Sequence, residues 1–106
     1  AVSSDGIAWD KPVIDPQAGN NWAVFQPKEP WVSGAGVLID AADPNPERRF
    51  KMTYLAKPDG KPSSLQSGIA FSADGIHWKP DPHNPVMPYS DTQIAPYWDA
   101  RLQRFV

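Results

Sequence analysis

Apolar and polar residues alternate with a period of two along several short segments of this chain, a pattern typical of half-buried β-strands. In residues 49–54, Phe50, Met52 and Tyr54 fall on one face and polar residues fall on the other. Residues 37–39 instead form a continuous apolar run, which predicts a strand that is buried on both faces. No stretch of about ten residues has helical spacing, so the sequence predicts an all-β fold.

A seven-residue motif occurs twice. Residues 3–9 read SSDGIAW and residues 72–78 read SADGIHW, so five of seven positions are identical at an offset of 69 residues (72 minus 3). Each copy places Asp-Gly between apolar segments, which predicts a two-residue hairpin turn because glycine adopts a positive φ at little cost. After the second turn, Ile76 and Trp78 are predicted to share one face of a strand.

A looser similarity relates two strand–turn–strand segments. Residues 37–52 read VLID, continue through a Pro-containing turn and end in RFKM, whereas residues 97–106 read YWDA and end in RFV. The aspartates after the predicted strands, Asp40, Asp43 and Asp99, are predicted to form turns, since an Asp side chain bonds to the backbone two residues on.

These similarities divide the chain into the end of one repeat unit, a connector, one full unit and the start of the next. The segments are residues 1–12, 13–34, 35–80 and 81–106. The strands of the full unit are predicted at 36–40, 49–56, 67–73 and 76–80, before a Pro-rich crossover at 80–88. The next unit is predicted to begin with strands near 92–98 and 103–106. A single unit seldom buries its own faces, so we expect the chain to be marginal in isolation or completed by further copies.

Composition narrows the range of partners. The net charge of −2 and the absence of a basic cluster argue against nucleic acid as a partner. No apolar run approaches the roughly 20 residues that are needed to span a membrane. The chain lacks cysteine, shows no His spacing typical of a metal site and contains no nucleotide-binding fingerprint, so neither a metal nor a cofactor is predicted.

The motifs together resemble those of bacterial five-bladed β-propellers related to glycoside hydrolase families 32 and 43. The resemblance rests on the SxDGIxW hairpins, the DxxPxxRFKM segment, and SDTQ followed by YWD, and it is weakest over residues 13–34. The hairpin also resembles a shortened Asp-box of sialidase propellers. The resemblance implies a propeller fragment with one complete four-stranded antiparallel blade at about 36–80 and parts of two neighbouring blades. Pro96 departs from the pattern, because it lies inside a predicted inner strand.

The resemblance implies that the parent protein hydrolyses an oligo- or polysaccharide in a central funnel, outside the cell or in the periplasm. Asp91 precedes a predicted inner strand and is the candidate for one of the two carboxylates that glycoside hydrolysis requires, or for a third that orients the sugar and tunes the pKa of the acid. The alternative role for Asp91 is to cap a turn. Gln93, in the same SDTQ stretch, is a candidate substrate contact. No typical acid motif with glutamate is present, so the fragment is not expected to be active alone.

Aromatic residues in the connector are further candidates for binding sugar. Trp22 and Trp31 lie outside the repeats and can offer stacking platforms, and Asn21 can bond to sugar hydroxyls. Core packing and turn formation are the alternatives for these residues. The tryptophans at repeated positions are predicted to pack in cores: Trp9, Trp78 and Trp98.

Two other classes of function remain open from the sequence. A non-catalytic carbohydrate-binding propeller would keep its aromatic platforms and tolerate loss of Asp91. A structural or protein-interaction propeller would carry no carboxylate cluster at its axis. In all three classes the expected partners include the remaining blades of the parent chain. The hydrolase and the carbohydrate-binding propeller are also expected to bind a carbohydrate.

Overall fold

The structure is a computed structural model, and it describes residues 1–14, 16, 19, 32–57, 65–91 and 93–106. Over these residues the regular elements are β-strands and one three-residue 3₁₀ turn, Pro46–Arg48, so the predicted all-β class is confirmed. The strands are β1 (Val32–Ile39), β2 (Phe50–Ala56), β3 (Gln66–Ser72), β4 (Lys79–Pro80), β5 (Met87–Pro88), β6 (Trp98–Asp99) and β7 (Arg104–Phe105). Within this described part, no helix is long and apolar enough to cross a membrane.

The main sheet is an antiparallel meander in the order β1-β2-β3-β4, and β5 also pairs with β3. β1 and β2 pair Val37 with Met52 and Ile39 with Phe50. β2 and β3 pair without interruption along their whole length. The first three predicted strands of the full unit are therefore confirmed, with their ends shifted by a few residues.

The register assigns each side chain of the sheet to one of two faces, because paired residues share a face and neighbours along a strand alternate. Face A carries Gly36, Leu38, Lys51, Thr53, Ile69 and Phe71. Face B carries Val37, Ile39, Phe50, Met52, Tyr54 and Ala70. The buried core lies on face B and consists of Met52, Tyr54, Ala56, Ala70 and Trp78, with Phe50 packed against it.

The apolar run at 37–39 is not buried on both faces, contrary to the prediction from its composition. Val37 is 53% exposed and Ile39 is 63% exposed. Both lie on β1, which is an edge strand of the described sheet. The core on face B is centred on β2 and β3, so these two side chains remain open to solvent.

The second copy of the repeated motif forms a six-residue loop between β3 and β4, and not the predicted two-residue turn. Ser72 Oγ accepts hydrogen bonds from the backbone N–H groups of Asp74 and Gly75 at 3.2 and 2.9 Å. Asp74 Oδ1 accepts two more from Ile76 and His77, both at 2.8 Å. Because side chains satisfy these four N–H groups, the backbone need not continue the strand pairing, and residues 76–78 are not a strand.

The first copy forms the same loop. Ser3 Oγ accepts from the N–H groups of Asp5 and Gly6 at 3.3 and 2.8 Å. Asp5 Oδ1 accepts from the N–H groups at positions 7 and 8, at 2.8 and 2.9 Å. Gly6 and Gly75 have φ angles of 76° and 77°, a conformation that residues with a side chain rarely adopt. The repeat is therefore conserved in hydrogen bonding as well as in sequence.

The tryptophan that closes each loop has a different environment in the two copies. Its indole Nε1 donates to the glycine carbonyl in both, at 3.2 Å for Trp9 and 3.1 Å for Trp78. Trp78 is only 7% exposed because it packs on face B, whereas Trp9 is 59% exposed. The core role predicted from the sequence is thus confirmed for Trp78 and is wrong for Trp9 in this chain, since no described sheet lies against the first loop.

The outer edge of the sheet is built from two short strands that pair with different parts of β3. β4 pairs near Ala70, and β5, which lies inside the predicted Pro-rich crossover, pairs near Ser67. The side chain of Asn84 fills the gap between them. Its Oδ1 accepts from Ile69 N and its Nδ2 donates to Ile69 O, both at 2.9 Å. An amide side chain thus supplies the bonds that a continuous strand would make.

The C-terminal segment lies against face A. Thr53 Oγ1 donates to Ile94 O at 3.1 Å, and a side chain at Gly36 would overlap that carbonyl oxygen and Pro96. The predicted strand at 92–98 is reduced to its C-terminal end, because residues 93–96 form no ladder and Pro96 has no N–H to donate. Tyr97 exchanges two backbone hydrogen bonds with Val106 beside β6, at 3.1 and 3.0 Å. The strand predicted at 103–106 is present as β7, which pairs with β6.

Candidate functional site

The segment that carries Asp91 and Gln93 is anchored at both ends. Ser90 is buried, its N–H donates to Leu65 O at 3.1 Å, and Ser67 Oγ donates to its Oγ at 2.5 Å. After the segment, Ile94 N donates to Gly34 O at 3.4 Å. Asp91 and Gln93 are both exposed between these anchors. They therefore lie at the end of the sheet where strands β1 and β3 both begin.

This geometry is a candidate site because two polar side chains are presented to solvent from a tethered backbone. Asp91 precedes a coil segment and not the inner strand that the sequence predicted, since β6 begins only at Trp98. The roles assigned to Asp91 and Gln93 from the sequence stay predictions. The other candidates, Asn21, Trp22 and Trp31, lie outside the described residues.

A second candidate is a groove of about 800 Å³ at the opposite end of the sheet, between the β1–β2 turn and the β6–β7 hairpin. Its lining includes Leu38, Asp40 and Asp43 on one side and Trp98 and Phe105 on the other. The two rings meet edge to face, with centroids 4.9 Å apart. Trp98 is about half exposed, so the sequence prediction that it packs in a core is wrong for this chain.

The charged groups of this groove neutralise one another. Lys51 Nζ lies 2.9 Å from Asp40 Oδ2 and 2.7 Å from Asp43 Oδ2, and it also donates to Arg48 O at 2.8 Å. The Lys51 bond, followed by the N–H of Asn45, holds the pKa of Asp43 below its usual range. A general acid needs a pKa near the working pH. Asp43 is therefore unsuited to that task, and the cluster serves to join the turn to β2.

The carboxylates after the strands form turns as predicted. Asp40 Oδ1 accepts from Ala42 N at 3.2 Å, and Asp43 Oδ1 accepts from Asn45 N at 2.9 Å. Asp99 Oδ1 accepts from Arg101 N at 2.8 Å. The side chain of Arg101, together with backbone N–H groups, lowers the pKa of Asp99.

Every displaced carboxylate pKa in the described part of the chain is lowered. Besides Asp43 and Asp99, this group comprises Asp5, Asp74 and Asp81. The largest cause of the lowered pKa of Asp74 is His77, whose Nδ1 lies 2.7 Å from Asp74 Oδ2. For Asp5 and Asp81 the largest cause of the lowered pKa is hydrogen bonding from backbone N–H groups. These five carboxylates therefore stay ionised and stabilise loops by hydrogen bonding, and none is suited to donate a proton near neutral pH.

Two residues with important contacts were missed by sequence reasoning. Lys51 looked like an ordinary polar position of an alternating strand, yet it is mostly buried between two carboxylates and lies 5.3 Å from the Phe105 ring centroid. Asn84 looked like a loop residue, yet its side chain completes the sheet. No local pattern identifies either role, because the pairing of Lys51 with Leu38 and the contact of Asn84 with Ile69 both depend on segments that are distant in the sequence.

No group of three or more metal-ligating side chains occurs among the residues that the structure describes. Comparisons with models of protein families, with curated proteins and with solved structures find no match to this chain. The resemblance to glycoside hydrolase propellers therefore depends on the motifs quoted above.

Proposed function

We propose that this chain is part of a β-propeller related to glycoside hydrolase families 32 and 43, which acts on an oligo- or polysaccharide, and that it contributes part of the central funnel. The repeated loop carries the proposal. Two copies of SxDGIxW, 69 residues apart (72 minus 3), have the same hydrogen bonds, and the second joins the outer strands of a four-stranded antiparallel meander. Radially repeated meanders of this kind are the building units of propellers.

In this proposal Asp91 is a catalytic carboxylate and Gln93 contacts the substrate. Their exposure on a backbone that is anchored on both sides supports these roles, because a catalytic group must be held in place and still be reached. Asn21, Trp22 and Trp31 are proposed to contact sugar. Hydrolysis needs a second carboxylate, so further blades of the parent chain would supply it.

Asp91→Asn in the protein as its gene encodes it tests the catalytic role. Release of reducing sugar would be measured over a panel of plant and microbial oligo- and polysaccharides. We expect kcat to fall by at least about 100-fold at an unchanged melting temperature, since a positioned carboxylate contributes that much. Asp81→Asn is the matched control, because Asp81 caps the outer loop through His83 N and should leave kcat unchanged. Undiminished kcat in Asp91→Asn would contradict the assignment.

A non-catalytic carbohydrate-binding propeller is the second candidate. The observation in its favour is that Asp43, Asp74 and Asp99 all accept hydrogen bonds from loop backbone, so none of them is free to serve as the second carboxylate that hydrolysis needs. In that case wild-type protein would retain a sugar on the panel without hydrolysing it, and Asp91→Asn would keep the affinity within about threefold.

A further inference from the structure

Tyr89 has the most exposed aromatic side chain in the described part of the chain. Its exposed fraction is 88%, against 59% for Trp9 and 55% for Tyr97. Single apolar side chains in water are common on protein surfaces, so exposure alone assigns no role to this ring. The backbone of Tyr89 supplies a second and independent observation.

The backbone of Tyr89 adopts a left-handed conformation that residues with a side chain rarely take. Its φ is 59°, and Gln103 is the other non-glycine residue with a positive φ among those that the structure describes. Glycine adopts such a φ at little cost, so a turn alone would favour glycine at this position. Strained residues of this kind persist only where their surroundings impose the conformation, and they are concentrated at binding and catalytic sites.

Both neighbours of Tyr89 are fixed to the beginning of β3. Pro88, the last residue of β5, pairs with Gln66. Ser90 is buried, and its N–H donates to Leu65 O at 3.1 Å. The Tyr89 ring therefore projects into solvent from a backbone that is held on both sides. Such a ring loses little conformational entropy when a ligand covers it, because only two χ angles remain to be fixed.

The ring lies next to the candidate site at Asp91 and Gln93. Asp91 follows Tyr89 by two residues and Gln93 follows it by four, and all three side chains are exposed. An aromatic face beside polar side chains suits a ligand that is apolar on its face and polar at its edge. A pyranose ring with equatorial hydroxyl groups has this form, because its C–H groups point to the two faces of the ring.

We propose that Tyr89 is the stacking platform for one pyranose ring of the substrate, and that it selects pyranose chains over furanose chains. The role rests on the proposed function, because it belongs to the site of Asp91 and Gln93. A furanose ring is smaller and puckered, and its hydroxyl groups project from both faces, so it would cover less of the phenol ring. Tyr89 is thus a residue that determines the substrate class as well as the affinity.

Isothermal titration calorimetry of Asp91→Asn, in the protein as its gene encodes it, measures binding without hydrolysis. The probes are three pyranose chains, cellopentaose, xylopentaose and mannopentaose, and one furanose chain, a linear fructopentaose. Two further changes are made in this background. Tyr89→Phe keeps the ring, whereas Tyr89→Gly removes the ring and fits the left-handed backbone. Met87→Ala is the matched control, because Met87 is half exposed on β5, two residues before Tyr89.

Tyr89→Gly should bind the pyranose probes at least about tenfold more weakly, whereas Tyr89→Phe and Met87→Ala should stay within about threefold of the background. The melting temperature of Tyr89→Gly should fall by no more than about 2 °C, because relief of the left-handed strain offsets the greater freedom of glycine in the unfolded chain. A loss of affinity at nearly unchanged stability separates a ligand contact from a structural role.

The outcomes separate this role from the proposed function. If a pyranose probe bound equally well to Tyr89→Gly, or if Met87→Ala lost as much affinity, Tyr89 would not be the platform, while the proposed function would stand. Binding of the fructopentaose as tight as that of the best pyranose probe would refute the selection of pyranose chains. If wild-type protein neither bound nor hydrolysed any sugar, the platform and the proposed function would both be wrong.

Discussion

Replacing Asn84 by alanine tests whether one amide side chain holds the outer edge of the sheet together. The change removes the bond from Ile69 N, the bond to Ile69 O and a third bond, at 3.1 Å, to the hydroxyl of Tyr54. Tyr54 is fully buried, whereas Ile69 O also accepts from Asp81 N at 2.9 Å. The loss therefore falls mainly on Ile69 N and on the Tyr54 hydroxyl.

A net hydrogen bond contributes about 1 kcal/mol, so the two main losses lower the free energy of unfolding by about 2 kcal/mol. Urea unfolding of the protein as its gene encodes it, followed by Trp fluorescence, measures the free energy. Asn84→Asp should also lose at least about 1 kcal/mol, because it keeps the acceptor for Ile69 N but places a carboxylate oxygen against Ile69 O.

Asn45→Ala is the control for loss of an asparagine. Asn45 is exposed and its Oδ1 accepts from Glu47 N, at 3.0 Å, at the start of the 3₁₀ turn. Removal of such a cap should cost about 1 kcal/mol or less. If Asn84→Ala cost no more than Asn45→Ala, the idea that the amide replaces a strand would be refuted.

Two further substitutions test the repeated loop and the cover of face A. Ser72→Ala should lower the free energy of unfolding by about 2 kcal/mol, because it leaves two loop N–H groups without their acceptor. Ser3→Ala, in the exposed copy of the loop, should cost about 0.5 kcal/mol. Equal losses for the two variants in urea unfolding would contradict the difference in packing between the two loops. Gly36→Ala should detach residues 94–106 from face A, because the added Cβ meets backbone at Ile94, and hydrogen exchange there should quicken about tenfold; unchanged exchange would disprove the close approach.

Much of the fold could be predicted from local patterns. Alternation at Phe50, Met52 and Tyr54 is a property of a few neighbouring residues, so it identified β2 without knowledge of the rest of the chain. The repeated motif correctly located the loop at 72–78, because a Ser, an Asp and a Gly at fixed spacing act on their own backbone. The predicted two-residue turn was wrong, because an Asp-Gly pair by itself also fits that shorter turn.

The candidate site could be predicted only in part. The position of Asp91 in SDTQ was read from the sequence. Its anchoring depends on the bond between Ser67 and Ser90, which are 23 residues apart, and on the bond from Ile94 N to Gly34 O of β1. The predicted inner strand after Asp91 did not form. Pro96 was visible as a departure from the pattern, yet its packing on Gly36 depends on a contact between distant segments.

The sequence by itself determined the strand periods, the turn-forming aspartates and the repeat, because each of these results from interactions within a few residues. Only the tertiary structure decided which faces are covered. The apolar run at 37–39 gave no indication that Val37 and Ile39 remain exposed, nor did the sequence indicate that Trp9 and Trp78 differ in burial. The physical reason is that burial depends on which distant segment lies against a face, and a local pattern of residues carries no information about that segment.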